Sequence, residues 1–366
     1  MANLTLVVTP RGIRCPLACD YCYNSDPHLK QRIGSRNMST EVLGILLGKF
    51  MRYPQNKYEI IWHGGEPALA GIPFYKEVVR IQQDLASTLE LKAPVINHFQ
   101  TNGILIDAEW ADFFKSNGFK VGVSIDGPQD IHDSHRVYPN GKGSHEEAMR
   151  GVGFLKDSGT SLGAGTVVTR KTLENPVRDF EFMRENFKVF DFSPCFTAMA
   201  SDGTWTQEIT PHEYADFVKT VFDYWFELDD PNIKVRSFKH YIEAALGHIP
   251  RICSMANGCH RYLSVDGQGD VYPCGRLHGI PALCFGSIKD QTFEEIQLRE
   301  DYLVYQEQAH HLDVDCETCK WRFACNNGCT ASRYTETGEI LPKTPFCEAT
   351  KEILEHVSNK VKQVQS

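Results

Sequence analysis

The chain has no excess of positive charge. Its 38 Lys and Arg are outnumbered by 47 Asp and Glu, and the net charge across 366 residues is −9. No Lys/Arg-rich run stands out, so nucleic acid is not an expected partner. Long apolar runs are also missing. No stretch approaches the roughly eighteen consecutive apolar residues of a membrane span, and no membrane partner is expected. Met1–Pro10 has neither a charged start nor a long apolar core and does not read as a secretory signal. Without an export signal, the oxidising compartments that favour disulfides drop out of the reading. The expected setting is a reducing cytoplasm.

What the chain does have is cysteine, thirteen of them. In that setting they point to metal or redox use rather than to a disulfide framework. Cys15, Cys19 and Cys22 come first, spaced C-x3-C-x2-C with Tyr21 directly before the third. Thiolates are the protein ligands of iron–sulfur clusters, and a four-iron cube takes four of them. Three close cysteines therefore leave one iron open to a ligand that is not protein. The same spacing lies on one face of a helix, where three buried core cysteines would also fit. Pro16 and the apolar run Leu4–Val8 just upstream favour a loop at a strand end.

The second cysteine group is larger. Cys253 and Cys259 precede a hairpin, Tyr262–Val265 with Val271–Pro273, turned through Asp266-Gly267-Gln268-Gly269 and ended by Cys274. Cys316, Cys319, Cys325 and Cys329 follow as C-x2-C-x5-C-x3-C, and Cys347 is last. A structural zinc site takes four such ligands. One zinc on Cys316, Cys319, Cys325 and Cys329 would leave Cys253, Cys259, Cys274 and Cys347 unused, whereas two sites of four use all eight.

Between these groups the chain alternates. Apolar runs at 4–8, 58–62, 94–99, 120–125, 161–168 and 189–194 read as strands. Helices fall between them, capped by Ser39 before Val42, Leu46, Leu47 and Phe50, then at 73–87, from Asp107, from the capping-box pattern Ser144-x-x-Glu147 to Lys156, and at 176–186. This order predicts an α/β fold with a parallel sheet and right-handed crossovers. Pattern alone does not separate an open sheet from a barrel. After the second strand comes His63-Gly64-Gly65-Glu66-Pro67, where two glycines permit either close backbone approach to a ligand or a plain tight turn. Residues 196–250 break the alternation. Thr210-Pro211-His212-Glu213 opens a helix whose stripe of Tyr214, Phe217, Val221, Tyr224 and Trp225 reads as core, and a short helix follows near 238–246.

With these residues in view, the chain resembles the radical S-adenosylmethionine (SAM) superfamily, whose signature is C-x3-C-x-aromatic-C. That resemblance implies a partial (β/α)6 barrel over 1–195 with its site at the strands' C-terminal ends, where Cys15, Gly65, Asn102 and Ser124 fall. It implies a helical linker region over 196–250, a Cys-rich SPASM extension over 251–350 and a C-terminal helix over 351–366. Its cofactors would be SAM and three [4Fe-4S] clusters. Cys15, Cys19 and Cys22 would hold the SAM-binding cluster. Cys253, Cys259, Cys274 and Cys329 would hold one auxiliary cluster, and Cys316, Cys319, Cys325 and Cys347 the other. Cys195 and Cys284 are left as core or supporting residues. Tyr21, Gly64, Gly65, Glu66, Ser124, Arg136 and Phe196 would contact SAM. Arg136 suits that role, since a guanidinium fork matches a carboxylate, although a surface salt bridge would use the same residue type.

Within that superfamily the layout is most similar to the anaerobic sulfatase-maturating enzymes, through 64–71, 100–103, Ser124, 126–128, His132 and Arg136. One departure matters. Those enzymes carry an aspartate base directly after the third cysteine of the extension, whereas this chain reads Cys274-Gly275-Arg276. Oxidising a serine or cysteine side chain to an aldehyde requires loss of a hydroxyl or thiol proton, which glycine cannot accept. The resemblance therefore implies a different radical modification of a ribosomally made precursor peptide, above all an oxidative cross-link, with formylglycine formation by a substitute base as the alternative. A metal-binding scaffold without catalysis is the third reading. The partners would be the precursor peptide, recognised by barrel and extension or by another protein, and a low-potential electron donor such as flavodoxin or ferredoxin.

Overall fold

The computed structural model describes residues 3–25, 37–195, 197–199, 205–255 and 258–365. Its strands are β1 (Thr5–Thr9), β2 (Tyr58–Trp62), β3 (Val95–Thr101), β4 (Lys120–Ser124), β5 (Ser161–Val168), β6 (Val189–Pro194), β7 (Thr197–Met199), β8 (Trp205–Gln207), β9 (Lys234–Val235), β10 (Tyr262–Asp266) and β11 (Val271–Tyr272). The chain forms two compact units. One comprises Met1–Ser124, Arg136–Leu162 and His260–Gln306, the other Ile125–His135, Gly163–Cys259 and Glu307–Ser366.

In the first unit the strand order is β11-β10-β1-β2-β3-β4. β1 to β4 pair in parallel, with Leu6 opposite Ile60, Ile60 opposite Asn97 and Phe99 opposite Val121. Alternation of strand and helix dictates this, because each parallel neighbour is reached by a crossover. The hairpin of β10 and β11, although distant in sequence, adds to the free edge of β1, placing Leu6 opposite Leu263. That covers an edge which would otherwise offer unpaired backbone groups. Helix Thr40–Phe50 is capped as its sequence indicates, Ser39 accepting from the Val42 N–H at 3.2 Å, and buries Leu43, Leu46, Leu47 and Phe50. Helix Ile72–Thr88 presses Tyr75 edge-on against Trp62 and Phe99, at 5.4 and 5.1 Å between ring centres. Beside them lies a polar knot. Trp62 Nε1 donates to Asn97 Oδ1 at 2.9 Å, and Asn97 and Gln82 exchange two further bonds at 2.9 and 3.1 Å. Ser144 departs from its capping-box pattern. It makes no side-chain cap for helix His145–Asp157, and its hydroxyl instead donates to the Arg136 carbonyl at 2.7 Å.

In the second unit β5 and β6 are parallel, and β9 extends them along β6. Helix Pro211–Leu228 opens with a full Thr210/Glu213 capping box. Its stripe is core as expected at Tyr214, Phe217 and Val221, while Tyr224 and Trp225 are half-buried. The C-terminal helix begins at Cys347, earlier than 351, so the last cysteine sits in its first turn. It lies along helix Pro211–Leu228, joined by His356 to Asp223 at 2.8 Å. No helix among the described residues is long and apolar enough to cross a membrane.

Two predictions follow from these interiors. Asn97→Ala strands buried donors on Trp62 and Gln82 and should cost about 2 kcal/mol, read as a lower urea midpoint with unchanged slope. Asp179, 1 % exposed and facing the Gly127 turn, has no hydrogen-bond donor on either oxygen among the described residues. Burial pushes its carboxyl from 3.8 up to about 7. The folded state then keeps a proton that the unfolded chain has lost, so Asp179 favours folding below its unfolded pKa and this contribution fades as pH rises through about 7. Asp179→Asn should flatten the stability profile across that window. An unchanged slope would contradict the assignment.

Candidate active site

β1 ends at Thr9, and the cysteines follow in a loop of turns rather than a helix, with Gly12 N–H on the Thr9 carbonyl and Cys22 N–H on the Cys19 carbonyl. This disposes of the buried-helix alternative for their spacing. Cys15 is exposed, Cys19 is buried and Cys22 half-buried, and the Cys15 thiol has Cys22 as an electrostatic neighbour. The Leu17 N–H approaches Cys15 Sγ at 3.4 Å, and Asn102 Nδ2 approaches it at 3.5 Å.

The Gly64–Gly65 pair serves contact with this loop. Gly65 N–H donates to the Gly12 carbonyl at 2.9 Å and Glu66 N–H to the Arg14 carbonyl at 2.7 Å. A Cβ on Gly65 would stand 2.1 Å from the Arg14 oxygen, and one on Gly64 (φ +114°) 2.6 Å from the Gly12 oxygen. Glycine is therefore required at both positions for backbone to lie against backbone. Glu66 turns inward and is fully buried. Its Oε1 accepts from Ala68 N–H at 3.0 Å and Thr101 Oγ1 at 2.9 Å, and its Oε2 from Asn102 N–H at 2.8 Å. Burial nonetheless raises its carboxyl to about 7. Asn102 accepts at Oδ1 from Ile104 N–H at 3.1 Å, which leaves Nδ2 directed at Cys15.

The other expected residues are placed as follows. Ser124 Oγ accepts from Gln100 Nε2 at 3.0 Å at the end of β4. The Arg136 guanidinium, largely buried, lies over the Tyr21 ring at 5.5 Å, a cation–π distance. Ala18 N–H reaches the Val137 carbonyl at 2.7 Å, so the Arg136 segment and the cysteine loop are tied together. Phe196 lies outside the described residues. Asp126 and His132, both buried, brace the second unit, where Asp126 Oδ1 accepts from Val167 N–H at 3.0 Å.

Beside Cys274, Gly275 packs on β1, and a Cβ there would meet Val7 Cγ1 at 3.2 Å. His278 is no open base. It is 4 % exposed, with Nε2 against Ser264 Oγ at 2.7 Å, Nδ1 against Thr9 Oγ1 at 3.3 Å and the Tyr272 ring at 4.9 Å.

The remaining thiols fall into groups. Cys325, pushed up to about 12 by burial, has Cys347, Cys316 and Cys319 as electrostatic neighbours, and these four line one cavity. The Cys259 thiol neighbours Cys329 instead. Among the described residues no three His, Cys, Asp or Glu side chains converge as a single metal ion requires. The eight thiols of the C-terminal group are an all-thiolate donor set, which fits an iron–sulfur cube.

Comparison with known proteins settles the class. Residues 9–183 match the radical SAM superfamily, and residues 253–320 match the SPASM iron-sulfur cluster-binding domain. The chain is a radical SAM/SPASM enzyme. Its cofactors are [4Fe-4S] clusters and SAM. It is 28 % identical over 369 residues to a cysteine-type anaerobic sulfatase-maturating enzyme of Clostridium novyi, covering 100 % of this chain and 98 % of that one. It is 29 % identical over 376 residues to a serine-type anaerobic sulfatase-maturating enzyme of Bacteroides thetaiotaomicron, covering 97 % and 89 %. Among solved structures, native anSMEcpe with bound AdoMet and Kp18Cys peptide superposes with a TM-score of 0.88 at 27 % identity over 99 % of both chains. Streptococcus suis SuiB bound to precursor peptide SuiA shares the fold, with a TM-score of 0.67 at 15 % identity over 95 % of this chain and 76 % of that one.

Sequence reading missed the Asn102–Cys15 contact and the inward turn of Glu66. Gln100-Thr101-Asn102-Gly103 after a strand was the available signal for the first. For the second there was none, because burial of Glu66 is set by chain segments far away. Gly65→Ala should push the cysteine loop off β2, destabilising the fold by about 1–3 kcal/mol as overpacked sites do and lowering iron bound after anaerobic reconstitution. Gly44→Ala, in open space on a helix, should leave both unchanged.

Proposed function

We propose that this enzyme modifies a ribosomally made precursor peptide by abstracting a hydrogen atom from one residue and joining the resulting carbon centre to another side chain, in a carbon–carbon (cyclophane) or thioether cross-link. Cys15, Cys19 and Cys22 would hold the SAM-binding cluster. Cys253, Cys259, Cys274 and Cys329 would hold one auxiliary cluster, and Cys316, Cys319, Cys325 and Cys347 the other. When bound, the reduced cluster and SAM supply a 5′-deoxyadenosyl radical. Tyr21, Gly64, Gly65, Ser124, Arg136 and Phe196 would seat SAM, with Arg136 on its carboxylate. Glu66 acts in this reading from within, fixing Asn102. A flavodoxin- or ferredoxin-like donor in a reducing cytoplasm would supply electrons.

The observation that favours the carbon–carbon form of this cross-link is Gly275, packed against Val7 beside Cys274 with His278 tied to Ser264 and Thr9. Gly275 itself has no carboxylate to take a hydroxyl or thiol proton. A carbon–carbon bond formed from two C–H groups needs no such deprotonation before the radical step. Two hydrogens would leave overall, one as an atom to the 5′-deoxyadenosyl radical and the other as a proton and an electron, the electron passing to an auxiliary cluster. Full-length similarity to sulfatase-maturating enzymes favours a second reading, oxidation of a Cys or Ser to formylglycine with another proton acceptor.

Anaerobic incubation with SAM and a low-potential reductant tests both. Cross-linking predicts 5′-deoxyadenosine together with a precursor peptide that has lost two hydrogens and resists sequencing between two residues. An aldehyde on a sulfatase-derived peptide would instead establish the second reading. Arg136→Ala should weaken SAM binding about tenfold, the equivalent of one charge-assisted hydrogen bond, measured by equilibrium dialysis on reconstituted protein.

A further inference from the structure

Helix Thr330–Thr337 starts on Cys329, whose carbonyl accepts from the Arg333 N–H at 3.1 Å. One turn in, the Arg333 side chain is completely buried. A guanidinium keeps its proton at any ordinary pH, so a full positive charge is fixed in the interior, where charge is unfavourable unless compensated. Nη1 donates to the Ile340 carbonyl at 2.6 Å. Nη2 donates to the Ala309 carbonyl at 2.7 Å and to Thr330 Oγ1 at 3.1 Å. These three acceptors are neutral. Thr330, also fully buried, places the same Oγ1 3.2 Å from Cys259 Sγ. As a ligand, Cys259 is a thiolate with no proton to give, so the threonine hydroxyl must be the donor and its lone pairs turn toward Arg333. The direction of the chain is then fixed, from Arg333 Nη2–H to Thr330 Oγ1–H to Cys259 Sγ. Each bond in such a chain polarises the next.

A cube held by four thiolates is net negative and gains another negative charge on reduction. Hydrogen bonds to its sulfurs and nearby positive charge favour the reduced form. We propose that Arg333, acting through Thr330, is a positioning residue that raises the reduction potential of the auxiliary cluster held by Cys259 and Cys329. This rests on the cluster assignment of the preceding subsection. A purely structural Arg333, one that only ties Ala309 to Ile340, would alter stability and leave the potential alone.

The experiment uses the full-length protein with Cys15, Cys19 and Cys22 changed to Ala, reconstituted anaerobically, so that only auxiliary clusters respond to EPR-monitored potentiometry. Thr330→Val, which keeps shape and removes the hydroxyl, should lower one auxiliary midpoint potential and leave the other in place. Thr330→Ser should restore it, and Arg333→Met should lower the same midpoint further. An unchanged midpoint in Thr330→Val overturns the inference, whether or not Arg333→Met folds. Loss of auxiliary iron from Thr330→Val with a normal circular dichroism spectrum overturns it as well, since the pair would then be scaffold. If the parent binds no auxiliary iron, the cluster assignment fails first and the inference falls with it, a result distinguishable from an unmoved potential.

Discussion

The cysteine loop is held by contact of backbone on backbone. A loop that would present three thiolates to one group cannot rely on flexible side-chain packing, because small displacements at such ligands are felt directly by a metal centre. Here the strand-end glycines press against Gly12 and Arg14 so closely that no Cβ can intervene. Two main-chain hydrogen bonds then fix the spacing between the loop after β1 and the loop after β2. β1 is itself held on both sides, by β2 and by the hairpin strand β10. The loop therefore leaves a strand that has no free edge to slip along.

The same concern for position explains two buried ionisable groups that look wasteful. Glu66 spends a carboxylate in the interior on three donors from the β2 and β3 ends, and thereby sets the turn that carries Asn102 to Cys15. Arg333 spends a guanidinium on two carbonyls and the hydroxyl that meets Cys259. Neither arrangement is the cheapest way to fill a core, since apolar side chains of similar volume often stabilise as much or more. Each instead gives a sulfur a neighbour of fixed orientation. On the proposed cluster assignment, burial of these groups makes sense as control over a ligand, with stability a secondary concern.

Much of this was legible in the sequence, and what was not has identifiable causes. Strands, helices and the caps at Ser39 and Thr210 could be read because they depend on local periodicity and on side chains a few residues apart. Ser144 matched a capping box and was misread, since its hydroxyl had a competing acceptor on Arg136 that only the folded chain brings near. The pairing of β10 with β1 had no local signal at all. Sequence order was likewise silent on the cysteines. Cys316, Cys319, Cys325 and Cys329 look like one set by spacing, yet the thiol that neighbours Cys325 belongs to Cys347, at the start of the last helix, while Cys329 neighbours Cys259. A helix begins at Cys329, and its first turn carries that residue toward a different segment.

Proton traffic narrows the chemistry further than the clusters do. Hydrogen-atom abstraction leaves a carbon radical whatever the product, so the fate of the substrate is decided by which group can receive a proton and which bond can form next. Close to Cys274, histidine and tyrosine rings pack at a tilt and the histidine nitrogens face hydroxyls, an arrangement suited to holding a wall in place. Gly275 offers only backbone, pressed toward Val7. A substrate whose reacting atoms are both carbon loses its proton late, from a cationic or radical adduct already acidic enough for water or a peptide carbonyl to accept it, and so makes the least demand on this wall. A hydroxyl or thiol substrate would have to surrender its proton early and would need a positioned base, a part that Gly275 cannot fill.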